Sequence, residues 1–346
     1  MKKLVSILLV LVVLLVAATG CSNNSTTDTS NSGDTSAEGS KDPIIIKYGL
    51  IAPESHSQTQ AAIKFGEYIE KESQGELKLE VYPNALLGGD VQLTEAVALG
   101  TIQMALPATS TLVMYSPMFG ALDMPFMFSD TEKAFEALEG EVGQLLNKEL
   151  ERVGIKNAGY SFNGVRNITN NVRPITEPDD LRGVKMRVME SPIFIDMFTL
   201  LGTNPTPISF GELFTALQQK TVDGQENAAS LVYDSRFQEV QSYMSLTKHV
   251  YGFCANIINK DFYNGLSDEH KAIIDEGAKI WLVDWQIAEE DGNDANYIQK
   301  LIDDGMEINE ISEENHKKFA DAVAPMYEKY RDQMGDEIFN LLEEYR

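Results

Sequence analysis

The chain has 346 residues, of which 53 are acidic and 28 basic, for a formal net charge of −25. That balance excludes a nucleic-acid binder, which needs clustered Lys and Arg to displace counterions from phosphate. An anionic ligand would have to be held by a few locally placed cations, against the protein's overall field.

The N-terminus carries an address. Met1, Lys2 and Lys3 precede an apolar run over residues 4–18, too short for a membrane-spanning helix and suited to a secretory leader. Ala17-Ala18-Thr19-Gly20 then leads into Cys21, the arrangement of a bacterial lipoprotein processing site, with Ala18 where Leu or Val is more usual. Residues 1–20 are expected to be removed and Cys21 to carry the lipid; an ordinary leader followed by an incidental Cys is the alternative. Residues 22–41 are Ser, Thr, Asn, Asp and Gly with almost no apolar side chain, which makes 21–42 a lipidated tether and leaves the folded part to begin near Pro43. With Cys21 so used, Cys254 has no disulfide partner and reads as a small buried hydrophobe.

From there strand-like and helix-like segments alternate. Residues 44–51 form an apolar strand, and residues 58–73 place Ala61, Ala62, Phe65, Tyr68 and Ile69 at helical spacing before Gly75. Leu77, Leu79 and Val81 alternate with Lys78, Glu80 and Tyr82 as a half-buried strand does. Asp90 is positioned to cap a helix ending near Gly100, and residues 102–106 form the next strand; this rhythm predicts a mostly parallel sheet. It repeats in strands over 155–160 and 183–188, a helix over 192–201, a Ser209–Glu212 capping box, and a strand or strand-turn over 222–226. Residues 267–303 hold few breakers besides Gly277 and Gly292. Unbroken, such a helix would run on the order of 50 Å and cross between lobes; a break at Gly292 would give two ordinary helices.

Enzyme signatures are missing: no G-x-S-x-G, no H-E-x-x-H, no phosphate loop with its Lys, no C-x-x-C. His56, His249, His270 and His316 are scattered without ligand spacing, and no metal or other cofactor is implied. The scarce cations say more. Arg187 sits inside the strand-like Gly183-Val184-Lys185-Met186-Arg187-Val188, where a guanidinium must find a carboxylate or face a wet cleft. Both outcomes stay open on the strand pattern alone.

The segments around the arginines resemble the solute-binding subunits of tripartite ATP-independent periplasmic (TRAP) transporters, of the C4-dicarboxylate-binding type. The resemblance is carried by Leu86-Leu87-Gly88-Gly89-Asp90, Gly164-Val165-Arg166, and Pro178-Asp179-Asp180-Leu181-Arg182-Gly183-Val184-Lys185-Met186-Arg187. It is strongest in Phe210-Gly211-Glu212-Leu213-Phe214-Thr215-Ala216-Leu217-Gln218 and Val222-Asp223-Gly224-Gln225-Glu226-Asn227. It continues through Phe237-Gln238-Glu239-Val240 and Leu246-Thr247-Lys248-His249, and so spans the mature chain.

The resemblance implies an α/β periplasmic-binding-protein-like fold: two α/β lobes, a hinge and a long lobe-spanning helix. Lobe I would take residues 43–163 and about 252–290, lobe II residues 164–251 and about 291–346. It implies that Arg187 pairs with a ligand carboxylate, that Asn227 assists, and that Phe210 lines the cleft. Arg166 matches an arginine that helps with some ligands directly and with others only indirectly. Here it lies one residue further from Arg187 than in some relatives, and Ala228 replaces the usual Pro. His56, Ser57, Asp90, Thr109, Ser110 and Phe253 resemble pocket-lining positions, though each also reads as an ordinary loop or capping residue. The implied partners are a small organic acid and the integral membrane permease of a TRAP transporter. The protein would act as a monomer outside the cytoplasm, lipid-anchored on the outer face of the membrane or in the periplasm. An ABC-type binding lipoprotein is the nearer alternative and a surface enzyme the more distant one.

Overall fold

The structure, a computed structural model, describes residues 42–346; the leader, Cys21 and the tether lie outside the described residues. Nine strands are present among the described residues. β1 (Ile44–Gly49), β2 (Leu77–Tyr82) and β3 (Met104–Ala105) come first, then the long β4 (Ile155–Asn170). β5 (Lys185–Val188), β6 (Asn204–Pro207) and β7 (Gly224–Asn227) follow, then the slightly longer β8 (Tyr243–Asn259) and the short β9 (Glu307–Glu310). Their hydrogen-bonded order is β2-β1-β3-β8-β4-β7-β5-β6, with β9 added on β8.

The expected parallel pairing holds at both ends. β1 lies parallel between β2 and β3, and β5 parallel between β6 and β7. The middle departs from it, because β8 is antiparallel to β3 and β4, and β4 is antiparallel to β7. Two lobes are therefore joined through one continuous sheet, whose β4–β8 ladder shifts register at three places, not by two separate sheets. Read alone, residues 155–160 predict a short strand; the polar Asn163-Gly164 hides its continuation through to Asn170.

The crossing between lobes is marked by a bulge. Phe162 pairs with Phe253 and Val165 with Tyr251, so Asn163 and Gly164 together face the single Gly252. Such an insertion bends a strand and sharpens its twist, which lets the two ends of one ladder support differently oriented lobes. Gly164 is required here: its φ is +76°, and a Cβ would collide with Ala228.

The long helix is continuous from Asp268 to Asp303 and does not break at Gly292. Its irregularity lies earlier, in a π-helical segment Ala278–Trp285 between regular turns. At Gly277 a Cβ would sit 2.6 Å from the Tyr68 ring, so the missing side chain lets this helix press against Ser57–Glu72. One face then follows β4: Ser161 Oγ donates to Leu282 O at 2.7 Å, and the Gln286 amide both accepts from Phe162 N and donates to Phe162 O. The terminal helices touch both lobes, with Tyr327 OH donating to Pro125 O and Tyr330 OH to Asp196.

Two local readings are corrected. Gly89 occupies the cap of the helix Asp90–Ala98, so Asp90 is its first residue; the carboxylate instead accepts from Ala108 N at 3.3 Å. Ser209 stands at the N-cap of Phe210–Gln218, but its hydroxyl makes no capping hydrogen bond, so the capping box does not form.

Candidate functional site

β5 sets Arg187 at the inner edge of the second lobe, where it is only 3% exposed. Its Nε donates to Ile208 O at 2.8 Å. Among the described residues its terminal nitrogens meet no acceptor and no carboxylate lies within ion-pairing distance, so the strand-embedded guanidinium is not part of a structural salt bridge. Burial pulls its pKa down to about 10; Glu226 works against that and the neighbouring Arg166 adds to it. A planar, bidentate donor held in a buried position without a directly paired carboxylate is matched by a carboxylate from outside.

Arg166 is spent differently. Its Nε and Nη2 bind both carboxylate oxygens of Glu226 at 2.5 and 2.8 Å, and Nη2 also donates to Glu226 O. The guanidinium lies over the Phe194 ring, 5.5 Å from its centroid. His249 Nε2 sits 3.3 Å from Glu226, and its Nδ1 meets Thr247 Oγ1 at 2.8 Å. Burial pushes the Glu226 carboxyl up, but Arg166 and the His249 hydrogen bond outweigh it and hold the group at about 2. Burial pushes the His249 pKa down.

Strand alternation explains this division of labour. On β7, Gln225 and Asn227 share one face and bond to each other at 2.5 Å, while Glu226 points to the other face and Arg166. Gln225 in turn donates to Thr169 Oγ1 at 2.8 Å, which fixes the amide of Asn227 in place. Phe210 opens its helix half-exposed, its ring tilted against Phe237 at 5.7 Å.

Residues between β2 and β4 reach this edge. Ser110 Oγ reaches Met189 Sδ at 3.4 Å, just past β5, and Gly89 packs against Ser209. Asp90 is buried, and burial raises its carboxyl to about 6 despite the Ala108 hydrogen bond and the field of Arg187. Thr109 Oγ1 donates to Phe253 O at 3.2 Å, while the Phe253 ring is packed edge-on by Phe128 and Phe135. That ring belongs to the core. His56 and Ser57 begin their helix beside Glu290, and Ser57 Oγ donates to it.

The structure thus brings Arg187, Arg166 and Asp90 into one electrostatic cluster with Glu190 and Glu226, while Asn227 bonds to Gln225 and Ser110 to Met189. Sequence reasoning assigned no role to Glu226, His249, Asp123 or Glu290. The buried Asp123 has an Oδ2 with no hydrogen-bond partner among the described residues, and burial lifts its pKa well above the usual range. Glu226 was open to discovery, because an acid at the centre of a fully buried strand demands a buried cation. A surface hollow of about 570 Å³ lined by Phe126, Tyr327, Arg331 and Arg346 shares no residue with the cluster. Its Arg331 is already paired with Asp336 and Glu343, so the chemistry favours Arg187 as the site. Among the described residues no group of three or more His, Cys, Asp or Glu is placed to hold a metal ion.

The sequence profile DctP, "Bacterial extracellular solute-binding protein, family 7", matches residues 48–333. The C4-dicarboxylate-binding protein DctB of Bacillus subtilis is 32% identical over 314 residues, covering 90% of this chain and 89% of that protein. The 2,3-diketo-L-gulonate-binding periplasmic protein YiaO of Escherichia coli is 35% identical over 282 residues, covering 80% and 84%. A crystal structure of the sugar acid binding protein DctPAm from Advenella mimigardefordensis, in complex with galactonate, superposes with a TM-score of 0.85 at 33% identity. That match covers 87% of this chain and 97% of the other. These relatives bind solutes and are not enzymes. The chain belongs to family 7 of the bacterial extracellular solute-binding proteins, the binding subunits that serve TRAP transporters.

Proposed function

We propose that this protein captures a hydroxylated monocarboxylate between its lobes and delivers it, from a lipid anchor on Cys21, to the membrane subunits of its transporter. The observation that carries the reading is the buried Arg187 guanidinium, which has no carboxylate partner among the described residues. One ligand carboxylate would take its two terminal nitrogens, with Asn227 beside it and Phe210 against the carbon skeleton. A second ligand carboxylate is disfavoured. Arg166, the other cation of the cluster, is neutralised by Glu226, and the group facing Arg187 from the first lobe is Asp90, an acceptor suited to a ligand hydroxyl. Like charges brought together in a closed, dry cleft are costly. The galactonate bound by the Advenella relative has this one-carboxylate, many-hydroxyl chemistry, whereas the Bacillus relative is named for C4-dicarboxylates. The lobes would exchange at residues 163–164 and 251–252, where the bulge lies.

A thermal-shift and calorimetric panel of erythronate, galactonate, 2,3-diketogulonate and succinate tests the substrate class, because a ligand that binds only the folded state raises apparent stability. The hydroxylated monocarboxylates are expected to give the larger shifts, each with one-to-one stoichiometry and no turnover. Succinate giving the largest shift would replace this reading with a dicarboxylate receptor.

For the anchor, Cys21→Ser is expected to move the protein from the detergent phase to the aqueous phase while leaving ligand affinity unchanged. Undiminished membrane retention of the variant would count against a lipid at Cys21.

A further inference from the structure

Glu290 lies on the spanning helix and is 3% exposed, yet among the described residues no Lys or Arg pairs with it. Its two oxygens are held by two serines. Ser57 Oγ donates to Oε2 and Ser230 Oγ donates to Oε1. Ser57 starts the helix Ser57–Glu72, which connects β1 and β2 of the first lobe; Ser230 belongs to Ala229–Asp234, directly after β7 of the second. His56 Nε2, buried and without a hydrogen-bond partner among the described residues, is 3.7 Å from Oε2. A Cβ on Gly164 would come within 3.2 Å of Oε1, so the carboxylate lies against the bulge where β4 passes between lobes.

A charge removed from water is tolerated only while its hydrogen bonds are complete. Here completion requires both lobes at once. Rotating the lobes apart would withdraw one serine and expose the carboxylate to solvent, which would tie these bonds to a closed arrangement and not to either lobe alone. Gln286, one turn earlier, strengthens the assignment. Its amide donates to Ser57 Oγ at 3.1 Å and clamps Phe162 on β4, fixing the helix against the first lobe so that Glu290 projects toward the second.

We propose that Glu290 is a clasp that holds the lobes closed, joining Ser57 to Ser230 and slowing ligand release without touching the ligand. The inference rests on the reading that an acid is captured between the lobes. If closure is favoured by these bonds, weakening them lowers the closed fraction, and the apparent dissociation constant rises in proportion.

The test uses Ser230→Ala, a small deletion on the second-lobe side, and Glu290→Leu, which removes both bonds. Each is examined in the purified protein with an equimolar mixture of erythronate, galactonate and succinate. Small-angle scattering reads compaction and stopped-flow reads release. Wild type is expected to compact and release slowly. Ser230→Ala is expected to release about tenfold faster, with association within about twofold of wild type, as befits loss of one hydrogen bond to a charged group. Adding Ser230→Ala to Glu290→Leu should give no further acceleration. Release and compaction equal to wild type in Ser230→Ala, with only the melting temperature lowered, would make Glu290 a local packing contact and overturn the clasp. Binding heat without compaction in wild type would also overturn it while leaving acid capture intact. No binding heat from the mixture would remove the capture reading and the clasp with it.

Discussion

Arg187→Ala is expected to weaken binding of the carboxylate ligand by about 2–5 kcal/mol, the range for removing one member of a buried charge pair. The expectation follows from what the guanidinium lacks. Among the described residues its one hydrogen bond is Nε to Ile208 O, and burial already pulls its pKa down to about 10 against the more distant Glu226, Asp90 and Glu190, so the folded protein holds a cation that no directly bonded carboxylate balances. Arg187→Lys should be nearly as damaging, because an ammonium is a point charge and cannot present two parallel N–H bonds to a planar anion. Stability without ligand should change little by comparison, since relief of an uncompensated buried charge offsets the donor lost by Ile208 O. Titration calorimetry with the best acid from the panel, beside melting curves without ligand, separates the two effects. Near-native affinity in both variants would sink the assignment of Arg187.

The two buried arginines show where sequence stops being informative. Gly164-Val165-Arg166 and Lys185-Met186-Arg187 look alike: each puts a cation in an apolar strand of a very acidic protein. The difference is made by strand register. Asn167 pairs with Asn227 and Ile168 with Glu226, while the bulge before Val165 lets Arg166 reach back to Glu226. No local pattern encodes that distance, because β4 and β7 are some sixty positions apart in the chain. Periodicity does encode the outer helices and strands, which is why Ser57–Glu72, Leu77–Tyr82 and Pro192–Leu200 fall close to their expected places. It also carries the spanning helix, because Gly292 costs less than the surrounding helix contributes. The central antiparallel ladder was not legible. Its strands owe their length to pairing with each other, and Asn163-Gly164 on one and Gly252 on the other read as breaks until they are seen to form a single bulge. Phe253 shows what a resemblance leaves out. Its position resembles the pocket lining, but Phe128 and Phe135 draw its ring into the core.

Glu226→Gln is expected to destabilise the folded protein by about 3–5 kcal/mol, because it leaves Arg166 buried without its counter-charge. Both partners are shielded from solvent, with side chains 2% and 0% exposed, so water cannot step in. The pH dependence has a definite sign. The folded-state pKa of Glu226, about 2, lies below its ordinary value of 4.5, so its stabilising contribution is fully present above about pH 4.5 and is lost as pH falls toward 2. Wild type should therefore lose this contribution across that window, and Glu226→Gln, having none to lose, should converge on it as the solution becomes acidic. A second variant separates the pair from the unpaired charge. Replacing both residues, Arg166→Met with Glu226→Leu, removes the ion pair and its desolvation cost together and should recover most of the lost stability. Denaturant melts of wild type, the single variant and the double variant at pH 7 and pH 3 supply the comparison. A double variant as unstable as Glu226→Gln would mean that Thr247 and His249 need the Glu226 carboxylate in its own right, and that the Arg166 pair is not the reason for it.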